Sequence, residues 1–273
     1  MPAVTATDVE FRYGSQVAVA TSSFVIPQGA ITALIGPNGS GKSTILNGIA
    51  GLVAPTRGRL SVHQGSTPGR IALVLQTTKV NDALPITVRE VVSMGRYPTI
   101  GEFRRLSDAD RAIVTEAMER MSITDLQGRH LSELSGGQRQ RVFVAQGLAQ
   151  DHDLLLLDEP LTGLDLPSAQ AIDGVIHDEQ KRGGTIVMST HDLAEARVAD
   201  HVVLMAGRVV ASGAPRDVLT TSNLTEAYGS ALLHVDGEQI FLDDPAHRPT
   251  GKRHIHQDRT IHVEALHDDR DSS

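Results

Sequence analysis

The chain has 273 residues, a formal net charge of -8, no cysteine, 40% apolar residues and 21% charged residues. This length predicts one large domain, or one domain with an appendage, and the composition supports a packed core rather than a disordered chain. The absence of cysteine excludes disulfides, thiolate metal sites and a cysteine nucleophile, and the acidic balance argues against a nucleic-acid-binding protein.

The first segment, residues 1–11, has neither the basic stretch nor the apolar stretch that a secretory signal contains. The strongest apolar run, Leu154–Leu157, is far shorter than the roughly 20 residues that a membrane-spanning helix needs. We therefore expect a soluble chain whose contact with any membrane is made through a partner.

The chain opens with two β-like stretches, residues 4–11 and 17–24, which a turn at Tyr13 and Gly14 separates. They predict an antiparallel β element. The apolar stretches that follow alternate with helical patterns, which predicts an α/β fold with a mostly parallel sheet covered on both faces. We expect its strands at residues 30–35, 71–75, 154–157, 185–189 and 201–205.

Helical patterns replace this alternation over about residues 78–150. Thr87 with Glu90, and Ser107 with Asp110, fit the capping box that begins many helices. They predict helices over residues 88–94 and 111–121. We interpret this segment as a helical insertion between two strands of the core sheet.

A glycine-rich segment follows the strand at residues 30–35 and precedes a helical pattern that starts at Thr44. It fits G-x-x-x-x-G-K-[ST], the phosphate-binding loop, in the strand–loop–helix context that this loop requires. Its glycines let backbone N–H groups turn towards phosphate oxygens, Lys42 supplies a positive charge, and the Ser43 hydroxyl is placed to ligate Mg²⁺. The residues predicted to bind the nucleotide here are Gly36, Pro37, Asn38, Gly39, Ser40, Gly41, Lys42, Ser43 and Thr44.

Two carboxylates, Asp158 and Glu159, follow the apolar run Leu154–Leu157. Ligands bind at the carboxyl ends of strands in open α/β sheets. An apolar run that ends in two acids is weak evidence for a catalytic site by itself, because a strand that meets a solvated turn has the same pattern. Paired with the phosphate loop, it predicts that Asp158 holds Mg²⁺ and that Glu159 orients and deprotonates an attacking water.

The segment Leu134-Ser135-Gly136-Gly137-Gln138 lies between these two motifs and precedes a helical pattern at residues 139–149. With it, the chain resembles the ATP-binding subunits of ABC transporters, from residue 4 to about residue 229. The order and spacing of the motifs match that family. The other matching positions are Tyr13 for the aromatic that stacks on adenine, Gln76 for the Q-loop, Asp165 for the D-loop and His191 for the switch histidine.

The resemblance implies that two copies of the chain sandwich two ATP molecules head to tail. Ser135, Gly136, Gly137 and Gln138 of one copy would then present a helix N-terminus, which suits an anion, to the γ-phosphate held by the other copy. The resemblance further implies that Lys42, Gln76, Glu159 and His191 are catalytic, and that Ser43, Gln76 and Asp158 ligate Mg²⁺. It divides the chain into an ABC ATPase domain, residues 1–229, and a flexible extension that contains histidines, residues 230–273.

A transporter subunit is favoured over a soluble ABC ATPase of DNA repair or translation, which usually carries two nucleotide domains or a long coiled-coil insertion. A regulator that binds ATP without hydrolysing it would lack a catalytic group, yet Glu159 and His191 are present. Because no membrane span is fused to the chain, the resemblance implies separate permease subunits, most often those of importers. It also implies a peripheral location at the cytoplasmic face of the membrane and an extracytoplasmic substrate-binding protein.

The transported substrate can be predicted only from similarity to known ATP-binding subunits. Residues 86–97, 159–165 and 224–229 are similar to those of manganese and zinc uptake ATPases. Residues 94–97 also occur in ferric-siderophore importers, which are the second candidate.

The last segment, residues 244–273, is polar and rich in histidine. Imidazoles and carboxylates are good ligands for divalent transition metals, so this tail is a candidate metal sensor. Against that, its histidines lack H-x₃-H spacing, basic residues lie among them, and most such tails are solvated linkers. The residues in question are His254, His256, His262, His267, Asp268 and Asp269, with Lys252, Arg253 and Arg259 beside them.

Overall fold

The computed structural model describes residues 1–63, 70–76, 85–101, 104–229, 233–236 and 239–242. They belong to one compact unit, Met1–Leu242. Within these ranges no helix is long and apolar enough to cross a membrane. Residues 78–84 of the expected insertion and the histidine-rich segment after residue 243 lie outside the described residues.

The described residues form eleven strands in three sheets. In chain order the strands are β1 (Pro2–Tyr13), β2 (Gln16–Pro27), β3 (Ile31–Ile35), β4 (Arg57–Val62), β5 (Ile71–Val74), β6 (Leu154–Leu157), β7 (Thr185–Thr190), β8 (His201–Met205), β9 (Val209–Gly213), β10 (Leu233–Asp236) and β11 (Gln239–Leu242).

Nine α-helices lie in the same described ranges. They are α1 (Lys42–Ile49), α2 (Val88–Met94), α3 (Tyr97–Ile100), α4 (Asp108–Arg120), α5 (Gly136–Ala149), α6 (Leu166–Lys181), α7 (Leu193–Val198), α8 (Pro215–Val218) and α9 (Thr221–Tyr228).

The central sheet has the strand order β5-β6-β7-β3-β8-β9. Its neighbours pair in parallel except for β8 and β9, which are antiparallel. The prediction of an α/β fold with a mostly parallel sheet is therefore confirmed. All five strands expected for this sheet are present, and β6 has the bounds predicted from its four leucines.

The opening segment folds as the predicted antiparallel element, since β1 pairs with β2 from Pro2 opposite Pro27 to Tyr13 opposite Gln16. A third strand, β4, pairs with the other edge of β1. Neither β4 nor β9 was expected from the sequence. Both are short and only partly buried, so their apolar patterns are weak.

Alternate residues of the central sheet enter two apolar clusters, one on each face. Leu154 and Leu156 of β6 pack in the cluster that contains α1 and the antiparallel sheet. Leu155 and Leu157 pack on the opposite face, in the cluster that contains α5 and α6. A strand covered on both faces is expected to be apolar throughout, as β6 is. The candidate site lies at the carboxyl end of this sheet.

Helices α2 to α5 follow β5 and precede β6, which confirms a helical insertion between two neighbouring strands of the sheet. Both predicted capping boxes are present, Thr87 with Glu90 and Ser107 with Asp110. The predicted start of α4 was three residues late. Because Ser107 is the N-cap, the helix begins at the next residue, Asp108.

Candidate active site

The predicted phosphate loop joins β3 to α1 at the carboxyl end of the sheet. Gly39 and Gly41 have φ angles of 78° and 99°, in the left-handed region that favours glycine. At Gly36 the neighbouring strand is so close that a Cβ atom would lie 2.2 Å from the carbonyl oxygen of Met205. Gly41 is the N-cap of α1, whose first N–H groups have no intrahelical partners. The loop is therefore a tight turn that ends at an anion-binding helix N-terminus.

Lys42 is buried in the first turn of α1. Its Nζ donates hydrogen bonds to the carbonyl oxygens of Gly36 and Pro37, at 2.8 and 3.3 Å, so the loop's own backbone holds the ammonium group. Burial lowers the pKa of Lys42, and the nearby carboxylates of Glu159 and Asp158 act in the opposite direction. Phosphate oxygens would be stronger acceptors for this group than the neutral carbonyls are.

Ser40 also fits a polar ligand. Its side chain is buried, and its Oγ has no hydrogen-bond partner among the described residues. A buried hydroxyl without a partner costs free energy unless a ligand or a water completes it. Its position inside the loop makes the nucleotide the natural partner.

The two acids after β6 have different surroundings. Asp158 is buried and accepts a hydrogen bond from the Oγ of Ser189 at 2.5 Å. The same Ser189 Oγ accepts a hydrogen bond from the backbone N–H of Glu159 at 2.9 Å. Glu159 has a φ of 46°, a conformation that is unfavourable for a residue with a Cβ. Ser189 therefore fixes both the Asp158 carboxylate and the backbone of Glu159.

The Glu159 carboxylate is the point at which the predicted catalytic residues meet. Its Oε2 accepts a hydrogen bond from Gln76 Nε2 at 3.0 Å and lies 3.8 Å from His191 Nδ1. Its Oε1 lies 4.0 Å from Lys42 Nζ. These side chains come from α1 and from the segments that directly follow β5, β6 and β7, so the sheet brings together residues that are far apart in the sequence.

A magnesium ion requires oxygen ligands, and the predicted set supplies three kinds. Ser43 offers an exposed hydroxyl, Gln76 an amide oxygen and Asp158 a carboxylate. No group of three or more acidic or histidine side chains in the described part of the chain could hold a metal alone. A hydroxyl, an amide oxygen and a carboxylate suit a Mg²⁺ ion whose remaining ligands would be phosphate oxygens.

The segment Leu134-Ser135-Gly136-Gly137-Gln138, called the signature segment below, leads into helix α5. Ser135 is the N-cap and forms a capping box with Gln138. At Gly137 a Cβ atom would lie 2.6 Å from Ser168 Oγ and 2.7 Å from Asp165 Oδ1, so the start of α5 packs against the start of α6. The signature segment and the D-loop are thus one packed surface.

The structure does not bring all predicted site residues together. Tyr13 ends β1 and is about half exposed. Within the described ranges, no hydrogen bond or ion pair joins Tyr13, Ser135 or Asp165 to Lys42 or Glu159.

Ser189 is the functional residue that sequence reasoning did not assign. No local sequence pattern signals it, because its contact with Asp158 follows from the strand register, in which Leu157 lies opposite Met188 in the parallel pair β6 and β7. The residues that follow these two, Asp158 and Ser189, are then neighbours at the carboxyl end of the sheet.

Comparison with known proteins agrees with this geometry. A family model described as "ABC transporter" matches residues 19–162, which is more than half of the chain. The chelated iron transport system membrane protein of Yersinia pestis is 38% identical over 89% of this chain and 84% of its own length. A manganese transport system ATP-binding protein of Synechocystis is 37% identical over 79% of this chain and 85% of its own. A zinc transport system ATP-binding protein of Treponema pallidum is 38% identical over 84% of this chain and 88% of its own length.

Solved structures share the fold. An inward-facing metal-chelate type ABC transporter aligns with a TM-score of 0.75 and 28% identity, over 88% of this chain and 96% of the matched chain. A dimeric ATP-binding cassette in a post-hydrolysis state, bound to ADP and Pi, aligns with a TM-score of 0.67 and 25% identity. The alignment covers 78% of this chain and 99% of the matched chain. The chain belongs to the ABC transporter family and is an ATP-binding subunit that hydrolyses ATP.

Proposed function

We propose that this ATPase drives a bacterial importer for a divalent metal ion, manganese or zinc, through separate permease subunits. The observation that carries the catalytic part is the contact of Gln76, His191 and Lys42 with the one carboxylate of Glu159. The relatives named for manganese and zinc transport support the substrate. The subunit would lie at the cytoplasmic face of the membrane, and a complete system would include an extracytoplasmic binding protein.

Glu159 is the base in this proposal. It accepts a proton from a water at a carboxylate oxygen as the water oxygen bonds to the γ-phosphorus and the bond to the β,γ-bridging oxygen breaks. Gln76 and His191 hold the carboxylate and the water in line. Lys42 neutralises charge on the phosphate oxygens. Ser43, Gln76 and Asp158 would hold Mg²⁺, which supplies further neutralisation of the phosphates when it is bound.

A second copy of the chain completes the site. Ser135, Gly136, Gly137 and Gln138 begin a 14-residue helix, whose N-terminal N–H groups suit the γ-phosphate of the ATP held by the partner copy. Asp165 packs beside Gly137, so the D-loop and the signature segment would meet the partner as one surface. A dimeric relative bound to ADP and Pi supports this arrangement. Tyr13, exposed at the end of β1, would stack on the adenine.

The permease would bind the helical insertion. A groove of about 660 Å³ lies there, lined by residues of α2, α3, α4 and the turn at Gln127 and Gly128. The groove lies in the segment that follows Gln76. Movement of Gln76 on ATP binding could therefore reach the permease.

A ferric-siderophore or other iron-chelate importer is the second candidate. The chelated iron relative and the metal-chelate type transporter favour it. The experiment that separates the candidates measures manganese, zinc and iron together in cells that lack this protein and in complemented cells. Selective loss of cellular manganese or zinc supports the proposal. Selective loss of iron supports the second candidate, and unchanged contents of all three contradict both.

We also propose that residues 1–229 are the ATPase domain and residues 230–273 a C-terminal extension that contains histidines. Strands β10 and β11 pair antiparallel, from Leu233 opposite Leu242 to Asp236 opposite Gln239. The candidate metal-binding histidines follow β11 in the sequence.

A further inference from the structure

Strand β7 ends in two buried hydroxyl residues, Ser189 and Thr190, which are 0% and 3% exposed. Successive side chains of a strand point to opposite faces of its sheet. Ser189 contacts the acids that follow β6, whereas Thr190 contacts the segment that contains α7. The next residue in the chain is His191. The end of β7 therefore lies between the proposed base and the histidine.

The Ser189 hydroxyl takes part in two hydrogen bonds whose direction is fixed. Its Oγ accepts from the backbone N–H of Glu159 at 2.9 Å and donates to Asp158 Oδ1 at 2.5 Å. The hydroxyl proton must point to Asp158, because the N–H group can only donate and a carboxylate can only accept. The bond to the N–H group supports the left-handed backbone of Glu159, which has a φ of 46°. Loss of the hydroxyl would release the backbone from which the Glu159 carboxylate extends.

The Thr190 hydroxyl has the same two kinds of partner on the other face of the sheet. Its Oγ1 accepts from the backbone N–H of Asp192 at 2.9 Å, and the hydroxyl also hydrogen-bonds the carboxylate of Glu195. Burial raises the pKa of Glu195, and the hydrogen bond from Thr190 acts in the opposite direction because it favours the ionised form. Asp192 is in turn the N-cap of α7. Because His191 lies between Thr190 and Asp192, this bonded turn determines where its side chain begins.

The two hydroxyls act on one pair of side chains. Glu159 Oε2 lies 3.8 Å from His191 Nδ1, and the backbone on each side of this pair is held by a hydroxyl of β7. A general base acts only when it is within hydrogen-bond reach of the proton that it accepts, and small displacements of catalytic groups are costly. The rate of hydrolysis should therefore depend on both hydroxyls.

We propose that Ser189 and Thr190 are positioning residues for ATP hydrolysis. The Ser189 hydroxyl holds the backbone of Glu159, and the Thr190 hydroxyl holds the turn that carries His191. The inference rests on the proposed roles of Glu159 and His191 and adds the side chains that set their geometry. Both hydroxyls act through neighbouring residues and not on the phosphate.

The first test removes each hydroxyl with little change in side-chain size, by Ser189→Ala and Thr190→Val. Each variant should lower kcat about tenfold or more, while its MgATP dissociation constant stays within about twofold of the wild type, because the groups that bind the phosphates are retained. Thr190→Ser keeps the hydroxyl and should restore kcat. Thermal unfolding of each variant reports folding separately.

Thr32→Val is the matched control. Thr32 is fully buried in β3, the strand beside β7, and its Oγ1 has no hydrogen-bond partner among the described residues. The control therefore removes a buried hydroxyl from the same sheet and should hydrolyse ATP as the wild type does.

Double-mutant cycles identify the residue through which each hydroxyl acts. In single-turnover assays, Ser189→Ala should lower the rate no further in a Glu159→Gln background, and Thr190→Val no further in a His191→Ala background, because the group that each positions is already absent. Equal losses with and without the second substitution, as a folding defect would give, overturn the inference. Wild-type kcat in Ser189→Ala and Thr190→Val also overturns it. A wild-type rate in Glu159→Gln alone refutes the proposed base instead, and with it the role of Ser189.

Discussion

At the residue scale, the geometry of Glu159 distinguishes it from the acid beside it. Asp158 is buried and engaged by Ser189, whereas the Glu159 carboxylate contacts an amide, an imidazole and an ammonium group. Its left-handed backbone, held by Ser189, turns the chain between the end of β6 and the D-loop. One acid is fixed by the protein, and the other is positioned to act on a ligand.

Glu159→Gln should therefore abolish hydrolysis while ATP binding persists. Glutamine retains the size and the hydrogen-bonding capacity of the side chain, but its amide cannot accept the proton of the attacking water. We expect the hydrolysis rate to fall by about a hundredfold or more. An ATP-bound dimer should accumulate because it cannot be resolved by turnover. Steady-state phosphate release and size-exclusion chromatography with MgATP measure the two effects.

Glu226→Gln is the matched control for this change, since Glu226 is an exposed acid paired with Arg208. It should hydrolyse ATP as the wild type does. A wild-type rate in Glu159→Gln would show that another group is the base.

At the element scale, α4 of the insertion is joined to α6 by a buried charged cluster. Glu179 of α6 lies 2.6 Å from Arg120 Nη1 and 3.2 Å from His152 Nε2. The other imidazole nitrogen, Nδ1, lies 2.6 Å from the carbonyl oxygen of Gln150. Both histidine contacts are hydrogen bonds only when the ring carries two protons, since both partners are acceptors.

The cluster predicts a dependence of stability on acid pH. Burial by itself would raise the pKa of Glu179, but the hydrogen bonds from His152 and Arg120 outweigh it and lower the pKa from 4.5 to about 2. The folded-state pKa is below the unfolded value, so this stabilisation is complete above pH 4.5 and is lost as the pH falls towards 2. It amounts to about 3 kcal/mol of unfolding free energy.

Urea unfolding at a series of pH values, for the wild type and Glu179→Gln, measures this contribution. The wild type should lose more unfolding free energy than the variant between pH 4.5 and 2. Parallel pH profiles for the two proteins would contradict the assignment to Glu179.

Some secondary-structure elements were predictable from the sequence and others were not. The capping boxes at Thr87 and Ser107 are local patterns, so their helices were predictable, and the four leucines of β6 identified a strand covered on both faces. The edge strands β4 and β9 are partly polar and depend on pairing with distant strands. The contact of Ser189 with Asp158 depends on the alignment of two strands, which no local pattern records.

At the scale of the whole molecule, a metal-binding role of the extension after the ATPase domain can be tested separately from the ATPase site. Imidazoles bind zinc and similar ions, so the tail that contains His254, His256, His262 and His267 is a candidate metal-binding segment. If it senses metal, full-length protein should bind more zinc than a chain ending at Asp243, and its ATPase activity should respond to zinc where the shorter chain does not. Zinc titration with parallel activity assays measures both. Identical stoichiometry and identical responses would leave the tail without a metal role.

In the proposed dimer, the signature helix of a second copy completes the site built around Lys42 and Glu159. Substitutions can separate the two contributions. Lys42→Ala would remove a phosphate contact made by the chain that holds the nucleotide, whereas Ser135→Arg would alter a surface that serves the partner's nucleotide.

The most direct test is the MgATP affinity of these two variants, titrated on the isolated chain alongside the wild type. Lys42→Ala should bind MgATP weakly, whereas Ser135→Arg should bind it with wild-type affinity although its hydrolysis is abolished. Equal losses of MgATP affinity in the two variants would contradict the head-to-tail site.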